Sequence, residues 1–248
     1  MEEKKVLQDL KINGSMVVSG GSFNEVSING KGTINGDVQC KEFKINGACD
    51  VNGKLKAETG VIRGNTNVEE DLYIGDFSVY GNASLHGNLY TSLFNVKGSC
   101  SVEKSINAEV IKPYGRLKVG DSCRADNFIA RGIFEINDTL DSKIIDVTIN
   151  GGKCSANKIK GEQVSVKLKG EQGLLKVLKS LLSFGEDKGV LKANEIIGND
   201  IQLAATKAKI VKGDRITIYD GCDIELVEYT ETLEIVGKAR VNESKKVK

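Results

Sequence analysis

The chain holds one histidine, one proline and no tryptophan in 248 residues, and aromatics make up 5%. A single imidazole is poor stock for His-based metal binding or acid–base catalysis. One proline excludes a collagen-like or Pro-rich linker protein. Neither charge is in excess, since 35 Lys plus Arg against 34 Asp plus Glu leaves +1. Such a balance exerts no global pull on nucleic acid, and no nucleic-acid partner is expected. No apolar run approaches the roughly 18 residues that a membrane-spanning helix needs. The opening MEEKKVLQDL lacks the apolar stretch of a signal peptide. Six cysteines (Cys40, Cys49, Cys100, Cys123, Cys154 and Cys222) are too few for a disulfide scaffold, and no two stand at CxxC spacing. No GxxxxGK[ST] loop is present to cradle a phosphate. These absences predict a reduced, cytoplasmic, non-enzymatic protein without nucleotide, metal or other cofactor.

What the chain does have is repetition. Apolar residues make up 40%, enough for a core, and there are 28 glycines. Ile-Asn-Gly occurs at 12–14, 28–30, 34–36 and 45–47, and Val-Asn-Gly at 51–53. Gly30, Gly47, Gly64, Gly81, Gly98, Gly115 and Gly132 follow at a constant step of 17 residues. The apolar residues keep the same period, as in Val26, Phe43, Phe77, Phe94, Ile111 and Phe128, or Ile34, Val51, Val68, Leu85, Val102 and Val119. Within one period they alternate, as in Phe43 and Ile45, Cys49 and Val51, Leu55 and Ala57. Alternation at period 2 marks strands with one buried face. Three short strands per 17 residues make one triangular coil, and equal positions stack about 4.8 Å apart.

The fold class that follows is all-β: a three-sided parallel β-solenoid, or β-helix. It is expected to be right-handed, as parallel crossovers are. The glycines are expected at tight bends that need positive φ. A sandwich would show no ladder register, and left-handed hexapeptide helices would step by about 18 rather than 17. Pectate-lyase-like helices have longer, irregular coils.

The pattern divides the chain. An arm, 1–9, precedes a regular stack over 10–169. The ruler slips by two near Asn150-Gly151-Gly152, so that Ile145 and Val147 are echoed 19 residues on at Val164 and Val166. Residues 170–188 form an insertion. Its apolar residues Leu174, Leu175, Leu178, Leu181, Leu182 and Phe184 fall on one half of a helical wheel. That spacing predicts a short amphipathic helix over 173–185, suited to packing on the solenoid, lying on a membrane surface or docking a partner. A second, less regular block over 189–241 carries the inward pairs Ile201/Leu203, Ile216/Ile218 and Leu233/Ile235, with Ile210 echoed at Val227. A basic tail, 242–248, closes the sequence.

Few residues are placed for chemistry. His86 sits in an outward polar column with Glu69 and Glu103 and is expected to be solvated. The cysteines are expected to act as small buried hydrophobes. One outward column stands out, because the residues before successive glycines are Arg63, Tyr80, Lys97, Tyr114 and Arg131. Such alternation suits cation–π support between coils, or a contact strip for an acidic partner, a lateral neighbour or a lipid surface. The ends matter more. A solenoid leaves a ring of unpaired backbone groups at each end, which soluble repeat proteins usually cap. Here few residues precede Leu10 and Ile12 or follow Leu233 and Ile235, so these four are the candidate self-contact residues. A head-to-tail contact that does not close gives a filament.

The short coils, the repeated [Ile/Val]-x-Gly corners such as Ile-Asn-Gly-Asp-Val at 34–38, and the missing active site resemble the bactofilins. These are polymer-forming bacterial cytoskeletal proteins with a β-helical core. The resemblance is clearest over 10–169. It implies a homopolymer: nucleotide-independent filaments that scaffold other proteins in cell shape, polarity or flagellar assembly. It also implies peripheral contact with the inner face of the membrane. The helix insert, the second block and the near absence of proline depart from the family's usual plan. A non-polymerising protein- or membrane-binding solenoid is the alternative.

Overall fold

Period-2 alternation repeated every 17 residues becomes, in three dimensions, a stack of parallel strands. The structure, a computed structural model, describes residues 7–170 and 189–247. Every regular element among them is a β-strand. The chain divides into two units, Met1–Asp121 and Ser122–Lys248, and each is a parallel β-solenoid.

Unit 1 contains β1 (Leu10–Ile12), β2 (Ser15–Ser22), β3 (Glu25–Ile28), β4 (Lys31–Ile45), β5 (Ala48–Asn52), β6 (Leu55–Ile62) and β7 (Asn65–Val68). It continues with β8 (Leu72–Val79), β9 (Asn82–Leu85), β10 (Leu89–Val96), β11 (Ser99–Val102), β12 (Ile106–Pro113) and β13 (Arg116–Val119). One coil shows the design. In β7 Thr66 and Val68 point inward, and in β8 Leu72 and Ile74, then Phe77 and Val79, do the same. Two adjacent outward residues, Gly75 and Asp76, bend β8 in its middle. Three inward pairs thus make three sides. Neighbouring coils align like on like: Leu55 on Leu72 on Leu89, and Ile45 on Ile62 on Val79. The Phe77 and Phe94 rings stack with centroids 5.3 Å apart and planes 6° from parallel. Outside, amides form ladders: Asn46 Nδ2 donates to Asn29 Oδ1 at 2.8 Å, and Asn29 Nδ2 to Asn13 Oδ1 at 2.9 Å.

The recurring glycines are there for a different reason than positive φ. None of Gly30, Gly47, Gly64, Gly81, Gly98 or Gly115 has it. Instead, a Cβ built on any of them would lie under 3.0 Å from the carbonyl oxygen of the glycine one coil earlier. Those carbonyls also carry the ladder round the corner, since Asn82 N donates to Gly64 O at 2.9 Å and Ser99 N to Gly81 O at 2.9 Å. Close approach of two backbones therefore fixes glycine here.

Unit 2 contains β14 (Cys123–Ala130), β15 (Ile133–Ile149), β16 (Lys153–Leu168), β17 (Val190–Leu203), β18 (Thr206–Ile218), β19 (Asp223–Ile235) and β20 (Arg240–Lys246). Ile145 and Val147 pair with Val164 and Val166, as the 19-residue echo predicts. Val164 and Val166 then pair directly with Ile201 and Leu203, so the strand after the insertion lies on the one before it. The inward pairs continue to Ile216/Ile218 and Leu233/Ile235. The expected Ile210–Val227 column is corrected. Val211 faces Val227, and Ile210 pairs with Leu226 at half-buried positions. A step of 16 there put the sequence reading one residue out, which turns a strand residue to its other face. In unit 2 later corner glycines do take positive φ, as at Gly152, Gly189, Gly221 and Gly237, although Gly132 does not, and Ala205 takes the same conformation at φ 46°. The expected helix over 173–185 lies outside the described residues.

Candidate self-association surfaces

The first coil of unit 1 leaves core positions open. β1 pairs with β3 and β2 with β4, and among the described residues no strand pairs with the other edge of either. The register places Leu10, Ile12, Met16 and Val18 in inward columns, over Val26, Ile28, Gly32 and Ile34. Ile12 is buried, and Leu10 and Val18 are half-buried. Met16 is 52% exposed despite its inward phase, and its neighbour Val17 is 67% exposed. No charged residue occurs between 12 and 24. Natural edge strands usually carry charge, proline or a bulge to discourage pairing; β2 has neither charge nor proline, and its ladder is irregular only between Ser19 and Gly21. Sequence reasoning picked Leu10 and Ile12 but missed Met16. Its signal was the 16-residue first step, from Leu10 to Val26, which sets Met16 in phase with Gly32 and Cys49.

The last coil of unit 2 is half covered. β20 pairs with 223–229 of β19, and among the described residues nothing pairs with the far edge of 232–235. Leu233 is half-buried there, Ile235 is 47% exposed and Val236 is 40% exposed. β20 itself is of the opposite character. It carries Arg240, Glu243, Lys245 and Lys246, and Ser244 takes the inward place over Val227.

The cation–tyrosine column of unit 1 is ordered by its own contacts. Tyr80 lies between two cations, with the Arg63 guanidinium carbon 5.8 Å and Lys97 Nζ 4.9 Å from its ring centroid. Tyr114 is 45% exposed. Arg131 belongs to unit 2, where its guanidinium is taken up by Asp146, Nη2 to Oδ2 at 2.7 Å. The helix candidates Leu174, Leu175, Leu178, Leu181, Leu182 and Phe184 lie outside the described residues.

Comparison with known proteins agrees with this architecture. The bactofilin family model, described as polymer-forming cytoskeletal, matches residues 3–90. The chain is 46% identical over 242 residues to a protein of Bacillus subtilis (strain 168), Uncharacterized protein YhbE, covering 98% of this chain and 99% of that one. The chain belongs to the bactofilin family. As a bactofilin it falls in a structural, polymer-forming cytoskeletal family, and self-association is what that membership supports. No solved structure matches the chain. Among the described residues, no helix is long and apolar enough to cross a membrane.

The cysteines of this bactofilin lie in the core, and its histidine lies at the surface. His86 stands between two carboxylates, Nδ1 2.9 Å from Glu103 Oε1 and Nε2 3.9 Å from Glu69 Oε1. Among the described residues, no group of three or more His, Cys, Asp or Glu is arranged to hold a metal ion. All six cysteines are buried and unpaired. Burial pushes the Cys40, Cys49 and Cys100 thiols up to about 12 and that of Cys222 up to about 11. The nucleophile is the thiolate, so the native protein should resist alkylation at neutral pH. Titration with a thiol reagent is expected to detect fewer than about one thiol per folded chain, and all six after denaturation. Rapid labelling of several thiols without denaturant would contradict this burial.

Proposed function

We propose that the chain is a non-enzymatic cytoplasmic scaffold that assembles into nucleotide-independent filaments by stacking of its end coils. Leu10 and Ile12 mark one contact face, and Leu233 and Ile235 the other. One observation carries the reading: edge strands expose side chains that belong to core columns, Met16 at 52% in β2 and Ile235 at 47% in β19. A further coil laid on either edge would satisfy its free backbone groups and extend the columns. As in its family, the filament would serve as a platform for other proteins in cell shape, polarity or flagellar assembly.

The test is sedimentation and negative-stain electron microscopy of the purified chain without nucleotide. Wild type is expected to form filaments. Leu10→Arg and Ile235→Arg should each abolish them while circular dichroism stays that of the folded solenoid. An unpaired guanidinium buried in the contact costs about 3–5 kcal/mol, a loss of roughly two to four orders of magnitude in association constant. Filaments persisting in both variants would reject end stacking. Discrete wild-type particles would reject polymerisation and favour a non-polymerising binding module.

A further inference from the structure

The corner that carries the cation–tyrosine column is free of acid over four successive coils. Residues 61–67, 78–84, 95–101 and 112–118 contain no Asp or Glu. Arg63, Lys97, Lys112, Arg116 and Lys118 lie there, and of these Arg63, Lys97, Lys112 and Arg116 have no carboxylate within ion-pair distance among the described residues. Elsewhere in unit 1, Lys11 pairs with Asp9 and Lys44 with Glu25 and Glu42, while other surface lysines such as Lys31 and Lys56 form no such pair among the described residues. Tyr80 and Tyr114 stand exposed among the cations, at 47% and 45%. The Tyr80 ring holds Arg63 and Lys97 on either side of it, in a row along the stack. The Tyr80 ring supports two of these cations from within the column, and their charge is left without an acid in the same corner. Such a row suits a partner with acids at the same pitch.

Another corner of the same coils is acidic. It presents Glu69, Glu70 and Asp71 in one coil, His86 in the next and Glu103 in the one after. Glu69 and Glu103 are exposed at 54% and 60% of their side chains. Lys54 and Lys104 are the nearby cations, close enough to act on Asp71. Both corners are built from the same coils, so both repeat at about 4.8 Å. Two copies side by side in the same register would therefore set Arg63 against Glu69, Glu70 and Asp71, and Lys97 against Glu103, with Tyr80 opposite His86 between them.

We propose that the Arg63–Tyr80–Lys97–Tyr114 corner is a lateral contact that docks on the Glu69–Glu70–Asp71 and Glu103 corner of a second copy, gathering filaments into bundles. The proposal rests on the filament reading. Each exposed ion pair is weak alone, and only repetition along two polymers makes the sum bind. Such contacts are screened by salt, with a Debye length of about 10 Å at 0.1 M.

The experiment separates bundles from filaments by low-speed and high-speed sedimentation of the full chain, at ~50 mM and ~500 mM salt. Wild type is expected to pellet at low speed only in low salt, and at high speed in both. Arg63→Glu/Lys97→Glu and Glu69→Lys/Glu70→Lys should each lower the low-speed pellet at least ~5-fold and leave the high-speed pellet unchanged. Mixing the two variants should restore bundles, because each still offers the corner whose charge the other has reversed. Wild-type bundling by either variant alone, bundles that survive ~500 mM salt, or a mixture that fails to bundle would overturn the lateral contact. A wild type without any high-speed pellet would instead reject filament formation. The lateral contact would then be read from the mixed variants. Their sedimentation coefficient rises above either alone if the corners meet, and an unchanged coefficient overturns the contact.

Discussion

Gly81→Ala is expected to destabilise the protein by about 3 kcal/mol and to lower its melting temperature by about 10 °C, while Gly14→Ala changes stability by less than about 0.5 kcal/mol. Both glycines occupy the same corner column, and neither has positive φ. At Gly81 a Cβ would run into the backbone of Gly64 and Arg63, whereas at Gly14 nothing lies within 4 Å. Backbone cannot rotate aside as a side chain can. The coils would have to separate there, stretching the bonds from Asn82 N to Gly64 O and from Gly81 N to Ile62 O. Gly81→Asn sharpens the argument. Asparagine tolerates left-handed backbone, so a conformational need would spare it, and a clash predicts the same loss as alanine. Urea unfolding followed by circular dichroism gives all three values. Equal stabilities at positions 14 and 81, or rescue by asparagine, would show that the corner glycines are not clash-limited.

The ladder itself was legible because a solenoid repeats one local rule. Phe43, Phe77, Phe94 and Phe128 are all buried in one inward phase, and the departures to 19- and 15-residue steps appear as observed pairings. What stayed hidden depends on neighbours rather than on spacing. The corner glycines looked like turn formers because a sequence does not show how near the next backbone comes. Ile210 and Val211 are both apolar, and only the 16-residue step decides which faces Val227. Met16 is unremarkable in the sequence, and its exposure follows from what fails to pair beyond β2. Arg131 fits the cation column by spacing, yet Asp146, 15 residues on, holds its guanidinium. The acid-free corner was only partly visible, since Lys112 and Arg116 stand two residues either side of Tyr114 rather than in the column.

Phe94→Ala should cost about 3–5 kcal/mol, the range for a large aromatic removed from a packed core. Phe94 is fully buried, with Phe77 stacked on one side and Ile111 paired on the other. The protein already shows how such a gap can be closed. In the same column Gly60 has no side chain, and Ile74 from the next coil fills the space, its Cδ1 well inside contact distance of where a Cβ would be. At position 94 the equivalent filler is residue 108, since Ile74, Thr91 and Ala108 form one column. Alanine is too short to reach, so the cavity stays open. The neighbouring Thr91 cannot swing in either, because its hydroxyl donates to Gly75 O at 2.8 Å. Ala108→Ile is therefore expected to recover about 1–2 kcal/mol in the Phe94→Ala background, while stabilising wild type little or overpacking it. Four-way unfolding measurements give the coupling between the two sites. A coupling near zero would mean that the core relaxes around the missing ring by some other route, and that the Ile74–Gly60 arrangement is peculiar to its own coil.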